Sequence, residues 1–420
     1  MDYSWPEMPP IDLAALENDL LLRSVWEGLG MPRSHVTGGY VRDRLLGKKS
    51  VDLDLVLSGA VEATAAPAKR LAARLDTRPH LLGQGANRVW RIETPGIRVE
   101  LWPRGSLSLD QDIQRRDFTC NALVWYLPNG PLIDHVHGLD DLRSGTLRAV
   151  QQKNLEDDRV RLIRAARFLA EFDNFELDSR TAKSITQLAP TLRGAPRERV
   201  GQELLKLLRA PRVVTGVRCL LRLGLLEHAA PGEARSDRGW LEDNLPAAAR
   251  LSGESRHPVP QAVRAARSTA LLALLLRSWN TPGIDSIAAY AWPQAVRNRA
   301  HIAATLIEGT TTTVESTAAE RRAFIHSAGS AFPAALAVAA AIEPQHPWRR
   351  WWRMWVQRGP ELVGPEPLLS GEQIGKLLDL PPGPKLGRAV NALTAAQVAG
   401  AVRSEAGARR WLLNLPTEEE

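Results

Sequence analysis

Cysteine is nearly absent from the sequence, with only Cys120 and Cys219 among 420 residues. Two cysteines form no disulfide framework and offer no zinc-ligand spacing. Such scarcity is typical of proteins in a reducing compartment. The chain also begins with an acidic, proline-containing stretch, MDYSWPEMPPIDL, which differs from the basic and apolar start of a signal peptide. We therefore expect a cytoplasmic protein.

Long hydrophobic runs are missing as well. The longest, 270–276 and 334–342, are much shorter than the ~20 residues of a membrane-spanning helix, so we expect no membrane partner. Neither sign of charge dominates, because 54 Lys and Arg against 47 Asp and Glu leave a formal net charge of +7. This modest basic excess is compatible with a polyanionic partner but does not identify one.

Strand-like patterns are confined to the first part of the chain. Apolar runs bounded by Gly, Pro and Asn predict strands at 51–57, 89–93 and 98–102. After about residue 155 only helical periodicity remains, beginning with a predicted helix over 155–172. The predicted fold class is therefore α+β, with a small mixed sheet in an N-terminal α/β head and an all-helical remainder.

A Walker phosphate-binding motif is absent from the segment where glycines and charges concentrate. That segment, residues 38–57, reads GGYVRDRLLGKKSVDLDLVL. In a strand, Asp52 and Asp54 point to the same face. Two adjacent carboxylates repel each other unless a cation lies between them, and Mg²⁺ prefers such oxygen ligands. Taken alone, the pair also fits an exposed edge strand. The neighbouring apolar residues are predicted to face the core: Val51, Leu53 and Leu55.

The double glycine upstream strengthens the functional interpretation. Gly38 and Gly39 let the backbone approach phosphate oxygens closely, and their N–H groups can cradle such oxygens. Arg42 follows where the chain turns into a short helix, a position suited to clamping a phosphate. The glycines alone also fit a helix-entry turn. The three motifs GG, RD and DxD at this spacing are more specific than any one of them.

Further charged motifs follow along the chain: RRDFTCNAL at 115–123, GLDDLRSGTLR at 138–148, DDRVRLIRAARF at 157–168 and ERVGQELLK at 198–206. Together with GGYVRD and DLD, this series resembles the class II nucleotidyltransferases, which comprise tRNA CCA-adding enzymes and bacterial poly(A) polymerases. The resemblance runs nearly without break from about residue 35 to 210. The segment 371–387 also resembles the tail of the tRNA-specific branch. The resemblance implies that Asp52 and Asp54 are catalytic and hold Mg²⁺.

The RRDFT motif is expected to bind the nucleotide. The resemblance implies that Arg115, Arg116 and Asp117 select the ribose 2′-hydroxyl and hold the triphosphate. Arginine suits this role because its planar fork and fixed charge match phosphate oxygens. The alternative for these three residues is a surface salt-bridge cluster.

Selection of the base is expected on the helix that follows. Asp158, Arg161 and Arg164 would cover one helical face, with Arg167 nearly opposite Asp158. An aspartate can accept from the exocyclic amine of cytosine or adenine, and an arginine can donate to their ring acceptors. The resemblance implies template-free base choice by this route. The alternative is a helix with ordinary i,i+3 ion pairs, and Asp157 departs from the glutamate usual in the family.

The connection before the RRDFT motif bears on which nucleotide is used. Only fourteen residues, 101–114, separate Glu100, a candidate third acidic group near the metal, from Arg115. Relatives that add the whole CCA end carry a longer, flexible loop here. The short connection resembles the CC-adding subgroup, which uses CTP on the tRNA 3′ end and leaves the final A to a separate A-adding enzyme.

Three rival functions stay open. A full CCA-adding enzyme would use ATP as well as CTP. A poly(A) polymerase is disfavoured, because residues 81–88 read LLGQGANR and lack the basic pair of that branch. A tRNA-binding protein with an inactive site is disfavoured by the intact aspartates and arginines.

The helical remainder is expected to bind tRNA through its phosphate backbone and shape. The predicted division is a head (1–150), a neck (151–215), a body (216–300) and a tail (301–420), in an elongated molecule. Candidate RNA-binding residues are Arg199, Lys206, Arg349, Arg350, Arg353 and Lys385.

The tail contains a tryptophan-rich stretch, PWRRWWRMW, at 347–355. On a helix its four tryptophans would share one face and its arginines another. We interpret Trp348, Trp351, Trp352 and Trp355 as core residues. Stacking of nucleic acid bases on them is the alternative.

Overall fold

The computed structural model describes residues 11–85, 88–232, 236–281, 283–311, 316–343, 345 and 347–415. The chain forms two compact units. The first comprises Met1–Pro196 and Thr215–His228, and the second Arg197–Val214 and Ala229–Glu420. The four-part division predicted from the sequence stays a prediction.

The strands all lie in the first unit, as far as the structure describes the chain. Their bounds are β1 Ser34–Thr37, β2 Asp52–Leu57, β3 His80–Leu82, β4 Val89–Thr94, β5 Ile97–Pro103, β6 Val124–Tyr126, β7 Leu132–Ile133, β8 Thr146–Leu147 and β9 Glu176–Leu177.

Helices run along the whole chain and alone make up the second unit's regular structure among the described residues. Their bounds up to the end of the first unit's segments are α1 Ala14–Glu17, α2 Leu20–Gly28, α3 Gly39–Leu45, α4 Val61–Arg74, α5 Leu109–Gln114, α6 Gly138–Ser144, α7 Gln152–Asp157, α8 Val160–Glu171, α9 Ser179–Leu188, α10 Arg197–Arg209, α11 Val213–Arg222 and α12 Leu225–Ala229. The later ones are α13 Arg238–Asp243, α14 Leu245–Ser252, α15 Gln261–Arg264, α16 Arg267–Ser278, α17 Gln294–Thr311, α18 Ala318–Ala328, α19 Phe332–Ile342, α20 Trp348–Val363, α21 Gly371–Leu378, α22 Pro384–Ala399 and α23 Glu405–Leu413.

The first unit is built on a seven-stranded sheet in the order β3-β4-β5-β2-β1-β6-β7. Only the β2–β5 pair is parallel, so the sheet is mixed, as the sequence predicted. The predicted strands at 51–57, 89–93 and 98–102 are confirmed as β2, β4 and β5. In the β2–β5 register, Asp52 lies opposite Arg98 and Asp54 opposite Glu100. The sheet thus brings three acidic residues to adjacent positions.

Two local predictions in this unit are wrong. Val51 does not face the core: it precedes β2 and is 50% exposed, whereas Leu53 and Leu55 are buried as predicted. A strand also follows residue 155, because β9 pairs in parallel with β8. A two-residue strand is too short to show alternation, and Glu176 and Asp178 hold it by donating to backbone carbonyls at 2.7 and 3.0 Å.

The second unit packs through apolar helices. The middle of α16 is buried on all sides from Ala270 to Leu276, which explains why its sequence is apolar all round. Gly201 on α10 allows close packing, because a Cβ there would lie 2.6 Å from the Tyr290 carbonyl oxygen. Among the described residues, the stretch Ala318–Ile342 is long and apolar enough to cross a membrane, but 67% of its most apolar window is buried inside the protein, as in a core helix.

Candidate nucleotide-binding site

The two aspartates of the DxD motif begin strand β2. Their side chains share one face of the strand, with Asp52 largely exposed and Asp54 partly buried. Gly38, at the start of α3, abuts Asp54. A Cβ at Gly38 would lie 3.0 Å from Asp54 Oδ2, and its φ of +74° is unfavourable for other residues. Because it has no Cβ, Gly38 lets the candidate phosphate-binding loop lie close to the Asp54 carboxylate.

The carboxylates crowd one another. Burial, followed by repulsion from Glu100 and Asp52, raises the pKa of Asp54 to about 6, against the opposing attraction of Arg116. The other acids have cationic neighbours: Asp52 Oδ1 lies 3.5 Å from Arg98 Nη1, and Glu100 Oε1 accepts from Arg91 Nη2 at 2.6 Å. The negative charge on Asp54 is thus the least compensated of the three.

This arrangement fits a divalent cation held by two residues. Asp52 and Asp54 offer hard oxygen donors, and a cation between them would offset the burial and the acidic neighbours that raise the pKa of Asp54. Within the described ranges, no group of three or more His, Cys, Asp and Glu side chains is arranged to hold a metal. Glu100 lies opposite Asp54 in register, but its carboxylate is engaged by Arg91. The donor set is therefore the aspartate pair, which leaves coordination positions for a ligand's phosphate oxygens.

The arginines of the RRDFT motif are held by a residue that the sequence reasoning missed. Asp112, buried near the end of α5, binds Arg115 through Oδ1 at 2.9 Å and Arg116 through Oδ2 at 2.9 Å. Burial opposes its ionisation, but the two arginines outweigh burial and lower the pKa of Asp112. The sequence signal was an aspartate three and four residues before the arginines on a helix.

Helix α5 itself is well defined. Ser108 and Gln111 form a capping box, with Ser108 Oγ accepting from the Gln111 N–H at 3.1 Å and Gln111 Oε1 accepting from the Ser108 N–H at 2.9 Å. The short connection between β5 and Arg115 is therefore an ordered helical segment.

Asp117 is the most tightly bound carboxylate of the site. Its Oδ2 accepts from Arg164 Nε and Nη2 at 2.9 and 2.6 Å, while Oδ1 accepts from the Phe118 N–H at 2.8 Å and from Asn121 Nδ2 at 3.1 Å. Burial opposes ionisation, yet Arg164 and these hydrogen bonds hold the pKa of Asp117 well below its usual range. Asp117 and Arg164 are thus brought together as a buried ion pair.

The predicted helix over 155–172 is interrupted at the selecting motif, which corrects its predicted geometry. Asp158 has extended backbone angles (φ −133°, ψ 93°) and separates α7 from α8. Its side chain accepts from the Val160 N–H at 3.3 Å, which competes with helical hydrogen bonding. Asp158 therefore precedes the helical face that carries Arg161 and Arg164. Asp158 Oδ2 still lies 3.9 Å from Arg161 Nε.

Asn154, on α7, ties the selecting segment to the RRDFT motif. Its Nδ2 donates to the carbonyl oxygens of Gln114 and Arg116 at 2.7 and 2.8 Å. Its own carbonyl accepts from Arg161 Nη1 at 3.1 Å. Asp157, the residue that departs from the family, is exposed and pairs with Lys153 at 2.9 Å.

Two predicted nucleotide-binding arginines are buried in other interactions. Arg42 pairs with Asp43 at 2.7 Å and donates to Asn121, and its guanidinium carbon lies 4.6 Å from the Phe172 ring centroid. Arg167 pairs with Glu171 at 2.7 Å. Neither side chain is brought to the aspartate pair by the described contacts.

The candidate RNA-binding residues lie in the second unit. Lys206 pairs with Glu203 at 3.1 Å, and the others are exposed: Arg199 on α10, Arg349, Arg350 and Arg353 on α20, and Lys385 on α22.

The tryptophans of α20 divide into two pairs, so the core interpretation is right for only half of them. Trp351 is buried, and Trp355 stacks on Phe332 with ring centroids 5.0 Å apart. Trp348 and Trp352 are half-buried and line an open groove together with Arg349, Arg353, Ala262, Val356 and Gln357. The two tryptophans of each pair lie about one helical turn apart, so the pairs form two neighbouring stripes on the helix. The sequence pattern predicts a single face for both stripes.

Comparison with known proteins identifies the family of the chain. A family model for the poly A polymerase head domain matches residues 34–148, and one for a probable RNA- and SrmB-binding site of polymerase A matches residues 174–235. The CC-adding tRNA nucleotidyltransferase of Synechocystis sp. is 36% identical over 200 residues, or 47% of each chain. That of Thermus thermophilus is 30% identical over 90% of this chain and 92% of its own.

A solved structure supports the same grouping. The Bacillus stearothermophilus CCA-adding enzyme in complex with CTP is 25% identical, with a TM-score of 0.67 over 95% of this chain and 97% of its own. The mixed-sheet head with its paired aspartates and arginines defines a nucleotidyltransferase. The chain belongs to the class II tRNA nucleotidyltransferase family of CCA-adding enzymes and poly(A) polymerases. Similar proteins include CC-adding, A-adding and CCA-adding tRNA nucleotidyltransferases and a poly(A) polymerase I.

Proposed function

We propose that the enzyme adds two CMP residues to the 3′ end of tRNA, using CTP and releasing pyrophosphate. The observation that carries this proposal is the short, capped helix α5 between β5 and Arg115. The capping box fixes the start of α5, and the buried Asp112 anchors the helix. These contacts support a binding site with a single geometry for the incoming nucleotide. CC-adding relatives in two genera match the chain as well.

The proposed reaction is attack of the tRNA 3′-hydroxyl oxygen on the α-phosphorus of CTP. A new P–O bond forms, the bond to the β-phosphate oxygen breaks, the hydroxyl proton is lost and pyrophosphate departs. Asp52 and Asp54 are the proposed catalytic residues and would hold Mg²⁺, which when bound supplies positive charge beside the reacting phosphate. The chain's own contribution is mostly positioning and charge neutralisation.

The triphosphate would bind among the RRDFT arginines and the glycine loop. Arg116 is 19% exposed at its side chain and lies beside the Gly38–Asp54 contact, where a Cβ on Gly38 would be 3.9 Å from Arg116 Nη1. Arg115 is more exposed and points away from the core. Gly39 would offer its backbone N–H at the start of α3.

Base selection would rest on Asp158 and Arg161, with Arg164 set by its ion pair to Asp117. An aspartate acceptor next to an arginine donor matches the amine and ring acceptors of cytosine. The buried positions of Arg42 and Arg167 support a role in holding this framework over direct nucleotide contact.

The tRNA would be held partly by the second unit. The groove on α20 combines two half-buried tryptophans with Arg349 and Arg353, a pairing suited to stacked bases and phosphate. Arg199, Arg350, Lys206 and Lys385 are further proposed phosphate contacts. A separate A-adding enzyme would then complete the same tRNA end.

The deciding experiment gives the purified protein a tRNA that lacks its CCA end, with CTP and ATP together, and sequences the product 3′ ends. We expect products that stop after two C residues. A matched reaction starts from tRNA that already ends in CC and should show no extension. Efficient AMP addition to the first substrate would instead establish a full CCA-adding enzyme.

The second candidate function is A addition, because an A-adding relative from Deinococcus radiodurans aligns with 92% of this chain at 29% identity. It predicts extension of the CC-ending tRNA alone. ATP-driven extension of unstructured RNA would indicate a poly(A) polymerase.

A further inference from the structure

Five side chains in the first unit close into a ring that crosses three motifs. Asp117 accepts from Arg164 through one oxygen and from Asn121 through the other. Asn121 Oδ1 in turn accepts from Arg42 Nη1. The two arginines meet again at Phe168, whose ring centroid lies 5.4 Å from Arg42 Cζ and 5.2 Å from Arg164 Cζ. The ring therefore links the glycine loop, the RRDFT motif and the selecting helix.

Phe168 is the one apolar member of this ring and is 2% exposed. A third arginine, Arg167, lies 3.9 Å from its centroid. Its remaining surroundings are aromatic, with Phe118 edge-on at 5.5 Å and Phe172 stacked at 5.3 Å. Guanidinium groups within about 6 Å of an aromatic centroid are attracted to it, and more strongly where water is excluded. Phe168 thus gives Arg164 a second point of orientation besides Asp117.

We propose that Phe168 is a positioning residue that sets nucleotide preference by fixing Arg164. This inference rests on the proposed function, in which the start of α8 chooses between cytosine and adenine. An arginine gripped through Nε and Nη2 by Asp117 and supported by an aromatic ring has few orientations left, so it presents one pattern of donors. Without the ring, the guanidinium loses one of the contacts that restrict its orientation, so it can present its donors to either base.

The test compares Phe168→Leu with the wild type by measuring kcat and KM separately for CTP and ATP on the same tRNA. Leucine keeps an apolar side chain in the pocket but removes the aromatic ring. We expect the preference between the nucleotides, as the ratio of their kcat/KM values, to fall about tenfold, in line with the loss of one desolvated cation–π contact. Phe168→Tyr keeps the aromatic ring and should retain the wild-type ratio.

Phe175→Leu is the matched control, because Phe175 is also buried and packs on Phe172 at 4.8 Å, while the described cation–π contacts do not include it. Its nucleotide ratio should be unchanged. A ratio within twofold of wild type in Phe168→Leu would overturn the proposal, as would an equal loss in Phe175→Leu. If Phe168→Leu fails to fold, Phe168→Met fills the same buried position with an unbranched apolar side chain that has no ring, and an unchanged ratio there overturns the proposal.

Failure of the proposed function would look different. A wild type that prefers ATP would reject CC addition, yet the loss of that preference in Phe168→Leu would still support the role of the ring.

Discussion

The two units bury different kinds of side chain. In the first, fourteen of the described polar or charged side chains are buried, including Asp112 and Asp117, whereas in the second there are three: Glu203, Ser252 and Ser278. Burying a charge is unfavourable unless it is paired, and nearly all of the charges buried in the first unit have opposite partners close by. In the first unit, burial of charged groups costs free energy but fixes the positions of those groups. The second unit is stabilised by apolar packing. The contrast locates the chemistry in the first unit.

The sharpest way to break this contrast is to remove a catalytic charge. Asp54→Asn or Asp52→Asn should reduce CMP incorporation by on the order of a thousandfold, because each removes the charge proposed to hold the cation. Folding should survive, because Asp54→Asn removes a carboxylate that Glu100 and Asp52 repel, and Asp52 is largely exposed. Incorporation assays and thermal unfolding measure the two effects, and tRNA binding should be largely unchanged.

The control for these variants is Glu62→Gln on α4. Glu62 is an exposed acid that lies 3.8 Å from Arg88, outside the aspartate pair. It should keep full activity. Wild-type incorporation by either aspartate variant would contradict the assigned roles.

A buried ion pair in the first unit should matter for stability as well. Asp117→Asn removes a buried negative charge that accepts from Arg164 Nε and Nη2, so we expect the free energy of unfolding to fall by about 3 kcal/mol. Urea denaturation of the full-length enzyme measures this change. Asp110→Asn, an exposed aspartate on the same helix as Asp112, should change stability by less than about 0.5 kcal/mol. A similar loss in both variants would contradict the difference.

A histidine in the first unit predicts pH dependence. Burial, opposed by Asp112, lowers the pKa of His35 from 6.5 to about 4. The native state therefore favours neutral His35, and its contribution is complete above pH 6.5 and is lost as the pH falls towards 4. The total is about 3 kcal/mol at about 1.4 kcal/mol per pH unit.

Urea midpoints measured between pH 7 and pH 4 check this prediction. Between pH 7 and pH 4, the free energy of unfolding of His35→Leu should fall less than that of the wild type, by the contribution of His35. His135→Gln, at a more exposed histidine, should show the same fall as the wild type. An unchanged slope in His35→Leu would contradict the account.

The smallest expected effect lies in the second unit. The double variant Arg349→Gln/Arg353→Gln should weaken tRNA binding several-fold and make it less dependent on salt, because each arginine that contacts a phosphate displaces counterions. Filter binding at several salt concentrations measures both quantities. Arg358→Gln, on the same helix and paired with Glu361 at 3.1 Å, should leave them unaltered. Unchanged affinity in the double variant would argue against the α20 groove.

Sequence reasoning succeeded where a residue's role follows from its immediate neighbours. The period of two in a strand places Asp52 and Asp54 on one face, and both begin β2 as expected. It failed where the role depends on contacts across the fold. The four residues between Leu155 and Val160 are all charged, so apolar periodicity carries no information there and does not reveal the break at Asp158.

Long-range pairing set the other limits. Asp112 reads as one more acid in a polar stretch until its two oxygens are seen on Arg115 and Arg116. The sequence position of Arg42 indicates a phosphate clamp. In the structure its Nη1 donates to Asn121, which is 79 residues away in sequence, and only the tertiary fold creates this contact. Helical spacing places Trp351 and Trp352 about 100° apart. It does not show that the fold buries Trp351 and leaves Trp352 lining a groove.

The amide of Asn154 has a consequence for redesign. One side chain spans the backbone on both sides of Arg115, and the carbonyl of the same residue holds Arg161. Residues inserted into the connection before Arg115 would therefore affect Arg161, the proposed base-reading arginine, through Asn154. An attempt to change the nucleotide preference by inserting a longer loop before Arg115 should therefore begin with a substitution of Asn154. The longer loop could reposition Arg161 only after the hydrogen bonds from Asn154 Nδ2 to the carbonyls of Gln114 and Arg116 are lost.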